Sequence, residues 1–339
     1  MNTNSCFSKI LELIEVSKYY GYGLLGSTKF PAVEKISLDI PSEPPKVITI
    51  AGESGSGKST LAKIMLGLIK PDEGQVLYRG KNIWKYRRTI WKHFRRDVQA
   101  IFQDPFDSFN PYEKVGNYLI KSAKNMANIN DELELRRRIE HALQLVGLEF
   151  EVLYRKPRQL SGGQLQRLAI ARALITGPKL IIADEPVSMI DVSLRINILN
   201  VLKDLKEKEK ISLVYITHDL STAYYISDEL MIMYRGVLIE KGSIDELLKE
   251  PLHPYTITLL ESLPDRSKRA EWLKQEDIVS GMKHIRYTYT TEIAEFLIKG
   301  CKYIFHCPLA MDICKVRRPP LIKIKPDHYV ACWHYNKNI

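Results

Sequence analysis

The apolar run Ile48-Thr49-Ile50-Ala51 leads directly into Gly52-Glu53-Ser54-Gly55-Ser56-Gly57-Lys58-Ser59-Thr60, and a second apolar stretch, Leu61 to Leu68, follows. The spacing is G-x-x-x-x-G-K-[ST] in a strand-loop-helix setting. Glycines let backbone amides converge on phosphate oxygens, and a helix N-terminus adds its positive end. Lys58 is placed to reach the β and γ phosphates, and Ser59 to ligate Mg²⁺. A glycine turn that merely opened a helix would need no lysine followed by two hydroxyls. Downstream, Leu180-Ile181-Ile182-Ala183-Asp184-Glu185-Pro186 is an apolar strand ending in two carboxylates, where a parallel sheet presents its ligand groups. Asp184 would hold Mg²⁺ through water. Glu185 would polarise the attacking water, the nucleophile-orienting role that phosphoryl transfer requires.

Leu160-Ser161-Gly162-Gly163-Gln164 precedes a further helix, Leu165 to Ile175, whose N-terminus is another potential phosphate site. One chain thus carries two half-sites. Cys6 stands alone, whereas Cys301, Cys307, Cys314 and Cys332 fall within the last 39 residues. Without a signal peptide, clustered cysteines suggest metal ligation before disulfides, because the cytosol keeps thiols reduced. Four thiolates suit tetrahedral zinc or a four-iron cluster. The short C-x₂₋₄-C pairs favoured by structural zinc are missing, while cluster spacings vary more; free thiols and disulfides stay open. His306 and His334 read as bystanders, since four cysteines complete a site.

These residues need a scaffold. Alternating apolar runs and helical periodicity over residues 1 to about 242 indicate a mostly parallel sheet flanked by helices. Val47 to Ala51, Leu180 to Ala183 and Leu213 to Thr217 read as buried strands, and Asp131 to Gly147 as an amphipathic helix in a helical insertion. Ser243 to Lys249 reads as a helix stopped by Pro251, which places a boundary near residue 248. At 339 residues, with 45% hydrophobic and 27% charged side chains, the chain is globular and long enough for two domains. No run reaches the roughly 18 apolar residues of a membrane-spanning helix, and Met1 to Val16 does not read as a cleaved signal. The net charge of +10 favours anionic partners. Its densest run, Lys85 to Arg96, is interleaved with Trp84, Tyr86, Trp91 and Phe94. A solvated amphipathic helix is the plainer reading, a nucleic-acid groove the sharper one.

The phosphate loop, Leu160-Ser161-Gly162-Gly163-Gln164, Ala183-Asp184-Glu185-Pro186 and Ile216-Thr217-His218-Asp219 together resemble the ATP-binding cassette family, in the family's order. The resemblance implies a P-loop α/β nucleotide-binding domain that hydrolyses ATP with Mg²⁺. It also implies two cassettes packed head to tail, with Ser161, Gly162, Gly163 and Gln164 contacting ATP held by the partner's loop. Residue by residue, Gln103 matches the glutamine that senses Mg²⁺ and the attacking water, and His218 the switch histidine at the γ phosphate. Tyr20, or its neighbour Tyr19, matches the aromatic residue that stacks on adenine. Asp191, in Ser188-Met189-Ile190-Asp191, matches the aspartate of the inter-cassette loop, whose middle pair is bulkier here.

Gln103-Asp104-Pro105 with Ser108-Phe109-Asn110-Pro111, His253-Pro254-Tyr255-Thr256, and the segments around the four cysteines are similar to the ATPases of oligopeptide, dipeptide and nickel importers. The resemblance implies an ATPase domain over residues 1–248, with a helical subdomain at about 104–175, and an extension over 249–339 carrying a [4Fe-4S] cluster on Cys301, Cys307, Cys314 and Cys332, with zinc as the alternative. Residues 265–299 depart from that branch; Tyr287, Tyr289 and a helix from Glu292 to Lys299 stand there instead. The implied partners are a second, similar cassette forming a heterodimer, two transmembrane permease subunits and an extracellular solute-binding protein, with no nucleic acid. The implied place is the cytoplasmic face of the cell membrane, and the implied cargo is peptide, with oligosaccharides or nickel complexes as alternatives. The rival from another class is a soluble cassette ATPase acting on nucleic acid or ribosomes through Lys85 to Arg96.

Overall fold

The computed structural model describes residues 9–22, 28–127, 129–261 and 295–336. Cys6, Tyr287, Tyr289 and the start of the helix expected from Glu292 lie outside them; residues 295–297 are helical. In chain order the elements begin with β1 (Lys9–Tyr22), β2 (Thr28–Pro41), β3 (Val47–Ala51), α1 (Lys58–Met65), β4 (Glu73–Tyr78), β5 (Lys81–Asn82), α2 (Arg87–Asp97) and β6 (Val98–Ile101). Next come α3 (Val115–Ser122), α4 (Glu132–Leu145), α5 (Gly162–Leu174), β7 (Leu180–Asp184), α6 (Val192–Glu207), β8 (Ser212–Thr217), α7 (Leu220–Ile226), β9 (Glu229–Tyr234) and β10 (Val237–Ser243). The C-terminal region adds α8 (Ile244–Lys249), α9 (Pro254–Glu261), α10 (Asp312–Val316), β11 (Ile322–Lys325) and β12 (His328–Val330).

The main sheet has the order β11-β12-β10-β9-β3-β8-β7-β6, parallel from β9 to β6 and antiparallel at the β10, β12 and β11 end. Its central strands are apolar throughout because both faces are covered. Alternate residues feed different cores: Ile48, Ile50, Leu180, Ile182, Val214 and Ile216 pack on one face, and Val47, Ile181, Ala183, Leu213 and Tyr215 on the other. The first face meets α1 and a second sheet, β2-β1-β4-β5, wholly antiparallel, which the periodicity of the sequence does not announce. The other face meets α3, α4 and α5. There the Asp131 carboxylate caps α4 by accepting from the Glu134 amide at 2.8 Å, and Arg138–Glu134 and Arg136–Glu140 pairs support its exposed side. Among the described residues no helix is long and apolar enough to cross a membrane.

The C-terminal region adds strands to the same sheet. Glu240 on β10 is fully buried, pairs with His328 Nε2 of β12 at 2.8 Å, and accepts the amides of Leu252 and His253 at 2.8 and 2.9 Å. One carboxylate therefore joins β12 and the lead-in to α9. Glu240→Ala would strand His328 in an apolar site, a loss of about 3–5 kcal/mol by chemical denaturation; Glu240→Gln, which keeps an acceptor for the amides, should lose less. An Ala variant as stable as the parent chain would show that the carboxylate does not clamp these elements. His253 is buried, its Nδ1 accepts the Tyr255 amide at 3.1 Å, and burial lowers its imidazole from 6.5 to about 3. The unfolded chain then binds one more proton than the folded chain between those values, so stability is complete above pH 6.5 and falls as the pH drops through this window, by about 1.4 kcal/mol per unit. His253→Gln should flatten the stability-against-pH slope by one proton, whatever its effect at neutral pH.

Candidate nucleotide-binding site

β3 ends in the phosphate loop and α1 begins at Lys58, so the loop lies at the carboxyl edge of the sheet. Gly57 precedes the helix at φ 101°, and a Cβ there would stand 2.1 Å from the Ala32 carbonyl oxygen, so only glycine lets β2 approach this closely. Gly236 of the β9–β10 turn braces the loop by donating its amide to the Ser56 carbonyl at 2.9 Å. The Lys58 ammonium folds into the loop, donating to the carbonyls of Gly52 and Glu53 at 2.7 Å each and to Ser56 Oγ at 3.3 Å. Burial lowers its pKa, against the opposing pull of Glu185, Asp184 and Glu53. Asp184, at the end of β7, accepts from Ser59 Oγ at 3.3 Å, and burial raises its carboxyl above the ordinary value. Two of the three expected Mg²⁺ ligands, Ser59 and Asp184, thus meet, and Gln103 lines the same cavity as Ser59.

Glu185 sits at φ 47°, a left-handed conformation unusual for a side chain of its size. Its carboxylate pairs with His218 Nδ1, at the end of β8, at 3.0 Å. A cavity of about 790 Å³ collects Tyr20, Glu53, Ser54, Gly55, Gly57, Lys58, Ser59, Thr60, Gln103, Glu185 and His218. Tyr20 therefore faces the cavity, whereas Tyr19 turns its hydroxyl to Glu73 at 3.3 Å and gives its amide to Asp72. Gly52 and Ser56 shape the loop without lining the cavity.

Ser161, Gly162, Gly163 and Gln164 are not among the residues lining that cavity. They open α5 through a capping box: Ser161 Oγ accepts the Gln164 amide at 3.2 Å, and Gln164 Oε1 accepts the Ser161 amide at 3.1 Å. Asp191 caps α6 with its carbonyl, which accepts the Leu194 and Arg195 amides, while its side chain makes no capping bond. Phe30, Leu259 and Phe296 also line the cavity, and the Tyr255 hydroxyl accepts the Glu53 amide at 3.0 Å. Nothing in the sequence announces the contacts of these four residues.

The expected metal centre does not close. Among the described residues no group of three or more His, Cys, Asp or Glu stands close enough to hold a metal ion. Burial pushes the thiols of Cys301 and Cys332 up to about 11 and that of Cys307 to about 12. A bound cation would be needed to deprotonate these three thiols. They are nonetheless neighbours: each of those three is raised further by the charge of other cysteines, and their sulfurs accept backbone amides from Tyr303, Leu309, and His334 with Tyr335, respectively. Donor chemistry fits Cys₄ ligation while the spacing does not. His306 bonds Glu295, at 2.5 Å.

A second cavity, about 1140 Å³, runs between α2 and α3, lined by Lys85, Arg87, Arg88, Lys92, Arg95 and Lys121 with Trp84, Tyr86 and Trp91. The Arg87 guanidinium lies 4.5 Å from the Trp91 ring centroid and 5.4 Å from that of Trp84. Of the basic residues of the run, all but Arg96 therefore line this groove.

Residues 33–188 match the ABC transporter family, and residues 239–314 match the oligopeptide/dipeptide transporter C-terminal region. The chain is 38% identical over 334 residues to the oligopeptide transport ATP-binding protein AppF of Bacillus subtilis, covering 96% of this chain and 98% of that protein. It is 37% identical over 287 residues to the oligopeptide transport ATP-binding protein OppF of Escherichia coli, covering 85% and 83%. Among solved structures, the ATP-binding cassette MJ0796, a dimer in a post-hydrolysis state bound to ADP and Pi, superposes with a TM-score of 0.62 at 29% identity, over 69% of this chain and 98% of that one. CbiO1 from Clostridium perfringens, part of the ABC transporter complex cbiONQ, superposes with the same TM-score and identity over 78% and 98%. With its phosphate loop, the strand-end Glu185 and His218 gathered in one cavity, the chain belongs to the ATP-binding cassette family of transporter ATPases, in the branch that carries the oligopeptide/dipeptide C-terminal region.

Proposed function

We propose that this chain energises the uptake of di- and oligopeptides, hydrolysing ATP on the cytoplasmic side of separate membrane subunits. The observation that carries the cargo class is likeness to peptide-transport ATPases along nearly the whole chain, the C-terminal region included. In this reading Lys58 and the loop amides hold the triphosphate, and Ser59, Gln103 and, through water, Asp184 hold Mg²⁺. Glu185 orients the attacking water, His218 contacts the γ phosphate, and Tyr20 packs on adenine. The 3.0 Å bond between His218 and Glu185 supports their acting as one unit. We further infer a division near residue 248 between the ATPase domain, with its helical subdomain at about 104–175, and the 249–339 extension.

Composite sites formed with a second, similar cassette fit the signature segment. A Cβ at Gly162 would meet nothing within 4 Å, so nothing in this chain requires glycine there. An incoming phosphate does, because it must approach the α5 amides closely. Asp191 would communicate between the paired sites. Two permease subunits and a solute-binding protein complete the system, and the basic groove between α2 and α3 is a candidate contact for a membrane subunit. Oligosaccharides or nickel complexes remain the alternative cargo.

Cys301, Cys307, Cys314 and Cys332 would hold a [4Fe-4S] cluster, or zinc in the alternative, which would supply a structural cross-link and no step of hydrolysis. Chain purified anaerobically should carry about four irons and visible charge-transfer absorbance, and Cys314→Ser should lose both along with thermal stability. Iron-free, colourless protein with stoichiometric zinc would select the alternative; neither metal would remove the proposal.

Glu185→Gln should bind ATP as the parent chain does, lower the turnover rate about 100-fold or more, and accumulate a closed cassette pair in the assembled transporter. Turnover at the parent rate would sink the assignment of Glu185. Co-purification from native membranes with two multi-span proteins and a second cassette would support the importer, whereas recovery with ribosomes or nucleic acid would overturn it.

A further inference from the structure

The polar and apolar linings of the nucleotide cavity differ in origin. Its polar lining comes from the loop, Gln103, Glu185 and His218, while its apolar lining combines Tyr20 and Phe30 of β1 and β2 with Leu259 of α9 and Phe296 of the helical turn at 295–297. Leu259 and Phe296 both belong to the C-terminal region. Phe30 bridges the two contributions, with its ring centroid 6.2 Å from that of Tyr20 and 5.7 Å from that of Phe296 in an edge-on arrangement.

Phe296 is fixed from behind. Its neighbour Glu295 is fully buried and accepts from Tyr234 Oη at 2.8 Å and Arg235 Nε at 2.6 Å. The Arg235 guanidinium also lies 5.2 Å from the Phe296 ring centroid. Residue 235 adjoins Gly236, whose amide braces the phosphate loop at Ser56, so the segment that secures Phe296 is continuous with the one that shapes the loop. A purine presents two flat apolar faces, and aromatic side chains are the usual surface for them because stacking removes both from water.

We propose that the C-terminal region is part of the nucleotide site: Phe296, backed by Leu259, forms with Tyr20 the wall against which the adenine of ATP packs. The inference rests on reading this cavity as the ATP site. It gives the extension a specific role, setting affinity for the nucleoside while leaving the grip on the triphosphate to the loop.

The test is equilibrium binding by the full chain of Mg-ATP and, separately, of Mg-tripolyphosphate, which presents phosphates without a base. Phe296→Ala should weaken ATP binding roughly tenfold and leave tripolyphosphate binding unchanged. Phe296→Trp should restore ATP binding, and Phe296→Leu, which keeps apolar bulk without a ring, should weaken it in the same ligand-selective way should the Ala variant fail to fold. Equal losses for both ligands, or no loss for ATP, would overturn the proposal. Lys58→Ala separates the two readings: loss of both ligands upholds the cavity as the triphosphate site, and loss of neither removes that site itself rather than the wall alone.

Discussion

Burying the ammonium of Lys58 is the constraint on which the site depends. Alone in a dry loop, that charge would be costly, and burial does depress its pKa. Two carbonyls of its own loop accept its protons, and Asp184 and Glu185 supply opposing charge from the end of β7. Each compensation fixes something else. The carbonyls require the loop to curl around the side chain, which demands glycine at position 57. The carboxylates require β7 to end level with β3, which the intervening β8 enforces by pairing with both in register. The cation, the curled loop and the acid pair are therefore one arrangement.

The C-terminal region is tied to that arrangement at three depths. At the sheet edge, β12 and β11 extend the ladder, and Glu240 pins them to β10. Further in, Tyr303 packs its ring against Tyr234 and Tyr255, at 5.3 and 5.5 Å between centroids. At the loop itself, the Tyr255 hydroxyl accepts the Glu53 amide. A small region rich in loops has too little core to order itself; here it borrows the core of the sheet. In return it contributes groups to the nucleotide cavity.

The parts of this site that were legible in the sequence are those whose chemistry is local. The phosphate loop, the carboxylate pair after β7 and the histidine after β8 each announce themselves through a strand followed by polar residues. The buried strands were legible because parallel pairing demands unbroken apolar runs. The antiparallel sheet was not, since β1 and β2 interrupt their alternation at register shifts, for instance between Leu13 and Val16, and bury residues off the period. Phe30, Leu259 and Phe296 carried no signal because an apolar cavity wall reads as ordinary core. The left-handed turn at Glu185 has no sequence signature, since glycine or asparagine is the expected residue there. The four cysteines are legible as a cluster along the chain, yet spacing in sequence does not set the distances between sulfurs, and among the described residues no group of three stands close enough to hold a metal ion.

The signature helix turns the same physics outward. Any helix must satisfy its first amides, and α5 satisfies two backbone amides, those of Ser161 and Gln164, through the capping box. Gly162 and Gly163 have no side chain to cover their own amides, and neither lines the cavity of this chain. Under the proposed pairing, the capped helix would present these amides to ATP held by the partner. The glycine in the phosphate loop is required by the fold, because Ala32 stands where a Cβ would go; the glycine at 162 has no such neighbour. Under the proposed pairing, the first shapes this chain's own site and the second serves a site completed by another chain, so that neither cassette hydrolyses ATP alone.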